Sequence, residues 1–306
     1  MGLARNFLLR ASRSAWLARQ MRDRAFVRRA VRRFMPGEDL ASALAAAGEL
    51  DREKVGSVLT ELGEQVSNPG EAQAVRDHYL DVLAQIKDRG LDAHVSIKLT
   101  HLGLDIDRET CFRHVAVLAS RSAEIGTRIW IDMEESRYVD VTLDLFRRAQ
   151  AGRPNVGVCL QAYLRRTPAD LESLLPLKPA IRLVKGAYNE PADTAFPSKR
   201  DVDAQYFRLA GRLLEQVADG ALPVFGTHDM RLIRRIGEQA AGIGLDPASY
   251  QLHMLFGIGT GDQRALARKG HAVRVLISYG TAWFAWYMRR LAERPANVWF
   301  VLRNLV

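Results

Sequence analysis

From residue 55 onward the chain repeats one pattern eight times, a short β-type run followed by a longer connecting segment. The runs are VGSVLT (55–60), AHVSIKL (93–99), RIWIDM (128–133), VGVCL (156–160), IRLVK (181–185), PVFG (223–226), YQLHML (250–255) and VRVLI (273–277). Several connecting segments, such as EAQAVRDHYLDVLAQIKDRG and RETCFRHVAVLASRSAEIG, carry helical periodicity and close on a glycine at a C-cap position. Strand and helix alternating eight times predict an α/β chain folded as a parallel (βα)8 TIM barrel in preference to a doubly wound sheet. Residues 37–54 predict an extra helix before the first strand. The expected organisation is a basic N-terminal arm over 1–36 and one barrel domain over 37–306.

A barrel of this kind collects its functional side chains just past the carboxyl ends of the strands. The sequence places Glu64 after the first run, Lys98 and Thr100 in or after the second, and Asp132, Glu134 and Glu135 at the third. Gln161 follows the fourth, Lys185 and Tyr188 the fifth, and Thr227 and His228 the sixth. Six strands supplying polar groups at one end predict a lined cavity, to which ordinary turn chemistry contributes a part.

Charge is concentrated at one place. Residues 1–33 hold ten arginines against the single acid Asp23, which leaves 34 basic and 34 acidic residues in the rest. The body therefore has no net basic charge of the kind that suggests nucleic-acid binding. Phe7, Leu8, Trp16, Leu17, Phe26 and Val27 interrupt the arginines. Such a segment fits a basic amphipathic helix on an anionic membrane, an arm whose apolar stripe packs on the body, or a targeting presequence. No apolar run reaches the length of a membrane span, and the N-terminus lacks the apolar core of a secretory signal. A cytoplasmic protein, peripheral on the inner face of the membrane, is expected. The two cysteines, Cys111 and Cys159, lie far apart, and neither a disulfide framework nor a metal site is expected.

Near the C-terminus WFAWYMRRLAERPAN puts Arg289 and Arg290 four and three residues before Glu293, the spacing of ion pairs on a helix. By itself that is a charged helix face. Taken with VSIKLTHLGLDID, IWIDMEES, VCLQAYLRRT, IRLVKGAY, VFGTHD and LHMLFGI, the segment resembles the proline dehydrogenases of the short monofunctional bacterial type. The resemblance runs from MPGE at 35–38 to the C-terminus, with the motifs in family order. It implies a distorted (βα)8 barrel whose last helix lies over the mouth. The implied activity is FAD-dependent oxidation of L-proline to Δ1-pyrroline-5-carboxylate, with electrons passed to a membrane quinone and the product passed to a separate dehydrogenase.

The resemblance also implies roles. Arg289 and Arg290 would bind the substrate carboxylate, for which a planar fork of permanent charge is suited, with Lys98 as a third cation. Asp132, Glu293 and Glu64 would balance these cations, Glu64 by pairing with Arg289 as a gate. Arg182 would lie beside the isoalloxazine and stabilise charge on the reduced ring. Val184, Gly186 and Ala187 would let the backbone approach the cofactor, Gln161 would bond the ring edge, and Thr227 with His228 would contact the dinucleotide. Tyr188, Leu255, Leu276 and Trp286 would line the substrate pocket. Hydride would leave the carbon next to nitrogen for flavin N5.

At two positions the chain departs from the family pattern. Trp286 stands where the family has a tyrosine three residues before the paired arginines, and Leu276 aligns with another family tyrosine. Both changes fall on the pocket wall and leave open a neighbouring cyclic or N-alkyl amino acid as substrate. Two other readings are a lyase using Lys98 or Lys185 as a Schiff-base nucleophile, and a non-catalytic flavin or amino-acid sensor.

Overall fold

The computed structural model describes residues 31, 33–63, 66–151, 153–284 and 287–288. Eight parallel strands close into a barrel in sequence order: β1 (Gly56–Glu61), β2 (Ala93–Ile97), β3 (Ile129–Ile131), β4 (Val156–Gln161), β5 (Ala180–Val184), β6 (Leu222–Gly226), β7 (Gln251–Leu255) and β8 (Ala272–Tyr279). All eight coincide with the expected runs to within a few residues. Helix α1 (Leu40–Arg52) precedes the barrel at the expected place. The connections carry α2 (Pro69–Arg89), α3 (Arg108–Glu124), α4 (Val139–Gln150), α5 (Thr167–Leu174), α6 (Lys199–Leu214), α7 (Met230–Gly242) and α8 (Thr260–Arg268).

Local chemistry explains where these helices begin and end. Asn68, Asp107 and Asp229 each accept a backbone N–H of the first turn of α2, α3 and α7, satisfying donors that a helix start leaves unpaired. Pro69 opens α2 with no N–H to satisfy, and Gly90 ends it in the left-handed region at φ 63°. Closure of the barrel rests on six register pairs between β1 and β8, from Gly56↔Arg274 to Glu61↔Tyr279.

The strands bury both faces, and the two faces differ. One alternate set, including Leu59, Val95, Ile131, Leu160, Leu183, Phe225, Met254 and Ile277, packs under the helices in one continuous core. The other set points into the barrel, where Val58, Trp130, Ala180 and Val224 form a small apolar group with Leu222 and Leu276 against it. Polar residues share that interior, among them Ser96, Arg182 and His253, all buried.

The chain ahead of α1 packs on the barrel. Val31 and Met35 are buried. Gly257, at φ 72°, lies so close to this segment that a Cβ there would stand 1.6 Å from the Arg33 carbonyl oxygen. After β8, Trp283, Phe284, Tyr287 and Met288 are buried. The Trp283 indole donates to Glu38 at 2.8 Å, and the Tyr287 and Phe34 rings lie 6.2 Å apart. Residues just before α1 and just after β8 thus meet beside the end of β7. The remainder of the basic arm, residues 1–30, lies outside the described residues, as do Glu64, Trp286, Arg289, Arg290 and Glu293.

Candidate active site

Lys98 and Asp132 are the first residues past β2 and β3, so adjacent strands deliver a cation and an acid to the same mouth. Lys98 Nζ lies 3.2 Å from Asp132 Oδ2. The other carboxylate oxygen, Oδ1, is held by the Arg182 guanidinium from β5 and by the Ser96 hydroxyl at 2.8 Å. Ser96 Oγ also accepts from Arg182 Nη2 at 2.8 Å, which closes a three-membered ring of contacts. Burial by itself would push the Asp132 carboxyl up; the Lys98 and Arg182 charges and the Ser96 hydroxyl outweigh it and hold the group below the usual carboxylate range. Asp132 is therefore a stable anion at neutral pH.

Gln161 ends β4 beside this network. Its side-chain nitrogen donates to the Met133 carbonyl oxygen at 3.2 Å. That carbonyl can only accept, so the amide orientation is fixed. Among the described residues no hydrogen-bond donor reaches the buried Gln161 Oε1. Cys159, two residues earlier on β4, pairs in register with Arg182. Burial raises its thiol pKa, so it remains a thiol.

The IRLVKGAY segment leaves β5 through a tight turn. Gly186 sits at φ 114°, and a Cβ there would stand 2.2 Å from the Tyr163 ring. Glycine at this position is thus required by Tyr163, beyond any approach of a cofactor. The carbonyls of Val184 and Lys185 accept from the N–H groups of Ala162 and Tyr163 at 2.7 and 2.8 Å, so β4 and β5 continue to pair past their ends. Ala187 and Tyr188 follow and are half-buried. Lys185 is engaged by Asp203 at 2.6 Å and Asp229 at 3.1 Å, and Lys199 also pairs with both.

At β6, Thr227 Oγ accepts the Asp229 N–H at 3.1 Å, a local turn bond. His228 Nε2 accepts the Leu255 N–H at 2.9 Å, which ties the ends of β6 and β7. An accepting Nε2 places the proton of the neutral ring on Nδ1. Leu255 and Leu276 are register partners on β7 and β8. Leu276 packs against the apolar group of the barrel interior.

Two strand-end residues have plain structural work. Thr100 donates its N–H and hydroxyl to Glu134 at 3.1 and 2.6 Å, locking the turns after β2 and β3 together. Glu135 pairs with Arg137 at 3.1 Å on the surface. Sequence reasoning did not single out Ser96, Trp130, Tyr163 or His101. A serine or tryptophan within a strand carries no motif signal, and their places follow only from which face of the barrel they occupy. Among the described residues no group of three or more His, Cys, Asp or Glu is placed to hold a metal ion. No described helix is long and apolar enough to cross a membrane.

A half-buried acid thus holds two cations at the mouth of a (βα)8 barrel. The proline dehydrogenase family profile matches residues 43–303. The chain belongs to the proline dehydrogenase family. It is 35% identical over 279 residues to a proline dehydrogenase of Deinococcus radiodurans, covering 90% of this chain and 89% of that one. With proline dehydrogenase 1 of Bacillus subtilis subsp. natto it shares 34% identity over 275 residues, 90% of each chain. The bifunctional protein PutA of Escherichia coli is 30% identical over 316 residues, which are 88% of this chain and 24% of that protein. Among solved structures, proline utilization A (PutA) from Bdellovibrio bacteriovorus, inactivated by N-propargylglycine, superposes with a TM-score of 0.81 at 22% identity, over 87% of this chain and 32% of that one. The chain thus spans about a third of that structure and shares its barrel fold. It is an oxidoreductase of proline dehydrogenase type, close in length to its monofunctional relatives.

Proposed function

We propose that this enzyme oxidises L-proline to Δ1-pyrroline-5-carboxylate with FAD and passes the electrons to a membrane quinone. Family membership supports the substrate, and the buried Gln161 oxygen, which has no partner among the described residues, is the observation that carries the cofactor. An N–H on the edge of a flavin ring would supply such a donor. Arg182 and Val184 on β5, Gly186 and Ala187 just past it, and Thr227 with His228 just past β6 would form the rest of the cradle. FAD, when bound, supplies the acceptor for the hydride that leaves the carbon next to nitrogen.

The chain's own residues bind, orient and balance charge. Arg289 and Arg290 grip the substrate carboxylate by planar, charge-assisted hydrogen bonds, and Lys98 adds its ammonium from the barrel side. Three cations gathered at one site repel one another, and Asp132 supplies a permanent counter-charge to Lys98. Glu293 and Glu64 do the same for the arginines. Tyr188, Leu255, Leu276 and Trp286 enclose the substrate ring. Holding the reacting carbon in one orientation is the main contribution of such a site. The reading that makes Lys98 or Lys185 a Schiff-base nucleophile is weakened, since both amines sit against carboxylates and not in the apolar surroundings that such chemistry uses.

Arg289→Met and Arg290→Met test the clamp. Each is expected to raise the KM for L-proline at least tenfold, about 1.4 kcal/mol, with bound flavin retained. Unchanged KM in both variants contradicts it.

A further inference from the structure

Beneath the ion network one large side chain fills the barrel. Trp130 is fully buried, two residues before Asp132 on β3. Its indole N–H donates to His94 Nδ1 at 3.1 Å, and the His253 ring meets it edge-on at 5.3 Å and 78°. Both histidines titrate well below their ordinary range, through burial first and then the Arg182 and Arg274 cations, so the indole meets a neutral acceptor. On the other side lies Gly157, the register partner of Trp130 on β4, where a Cβ would stand 2.5 Å from two ring carbons. The hydrogen bond fixes the ring plane and the glycine notch fixes its depth.

The Arg182 guanidinium carbon lies 5.3 Å from the centre of that ring. One nitrogen of the same guanidinium is tied to Ser96 and Asp132. Arg182 is therefore held at two points, by a carboxylate beside it and an aromatic face against it. Buried cation–π contacts of this geometry are attractive and directional, and a flat surface restricts how a planar guanidinium can turn.

We infer that Trp130, seated by His94 and Gly157, is a positioning residue that fixes the orientation of Arg182 and through it tunes the flavin. This rests on the reading above that places Arg182 beside the flavin ring. Trp130 contributes nothing to the substrate carboxylate, so its effect falls on turnover and on the reduction potential and not on KM.

The test compares Trp130→Leu, which removes the aromatic face, with Trp130→Phe, which keeps it. On FAD-loaded protein, Trp130→Leu is expected to lower kcat about tenfold, equivalent to about 1.4 kcal/mol of barrel-held barrier lowering, and to lower the flavin midpoint potential. KM for L-proline stays within about twofold, and Trp130→Phe restores most of kcat and of the potential. If Trp130→Leu loses thermal stability alone, with wild-type kcat and potential, Trp130 is only a space-filler and the inference falls. A thermal-unfolding cycle of Trp130→Leu with Arg182→Met, on protein without added FAD, reads the contact itself. Melting-temperature losses that fail to add support it, and losses that add overturn it. A wild-type chain that binds no FAD would sink the cofactor reading, while this cycle would still judge the contact.

Discussion

Asp132 receives Arg182 on one carboxylate oxygen and Lys98, at 3.2 Å, on the other, so a single acid bridges two strands of the barrel. The side chains of Lys98 and Arg182 are 12% and 6% exposed, too little for water to replace the anion if it is lost.

Asp132→Asn keeps the shape and removes the charge. Breaking a buried pair of this kind leaves two uncompensated cations, and a loss of about 3 to 5 kcal/mol is expected in denaturant unfolding at pH 7. The folded carboxyl titrates below its ordinary 3.8, so its share of stability is present above that pH and fades as pH falls further. The variant's deficit should therefore shrink below about pH 4. A deficit that is absent at pH 7 would show that the network is surface-like and screened.

Gly186→Ala should be costly for two separable reasons. A left-handed backbone position costs an L-residue about 1 to 2 kcal/mol, and the new methyl overlaps the Tyr163 ring for about 1 to 3 more. In a Tyr163→Ala background only the backbone share remains. Unfolding free energies of the four proteins measure this, and equal Gly186→Ala losses in both backgrounds would deny the contact with Tyr163.

His101 gives a pH-dependent signal. Its ring is buried against Gly63, where a Cβ would stand 2.1 Å from Nε2. Burial, and then the charges of Lys98 and His78, pull its pKa from 6.5 down to about 4. Unfolded chain takes up the proton first as pH falls, so the stability carried by neutral His101 is whole above pH 6.5 and is lost on the way to about pH 4. The shift corresponds to about 3 kcal/mol. His101→Gln should flatten the pH dependence of stability over that window by an amount of this order, and an unchanged slope would contradict the assignment.

The N-terminus can be divided by truncation. Removal of residues 1–30 should leave the melting temperature and activity with a soluble acceptor intact while weakening sedimentation with anionic vesicles. Removal of residues 1–36 takes away buried Val31 and Met35 and uncovers Gly257, and should lower the melting temperature by several degrees. Equal behaviour of the two truncations would mean that the packed segment contributes nothing to stability.

The strands were legible because each is a short apolar or β-branched run closed by turn residues, and eight such runs admit few architectures. Lys98 and Asp132 were legible as residue types at strand ends, Arg182 only through the family resemblance, and their meeting at one carboxylate follows from barrel geometry. Ser96 was not legible, since a small polar residue inside an apolar run has no pattern and gains its place from facing inward. Gly186 was legible as special but with another partner; nothing in the spacing connects it to Tyr163, which lies one strand away. The basic arm hid its last residues for a similar reason. VRRFMP looks like more of the arginine-rich segment, although Val31 and Met35 are buried on the barrel.

The central claim is a flavoenzyme that oxidises L-proline at this barrel mouth. The visible absorption spectrum of the purified protein, recorded anaerobically before and after L-proline is added, tests it most directly. Flavin bands that bleach with L-proline are predicted. Bands that persist would contradict the substrate and turn attention to Leu276 and Trp286, and a protein that shows no bands even after FAD is supplied would contradict the cofactor.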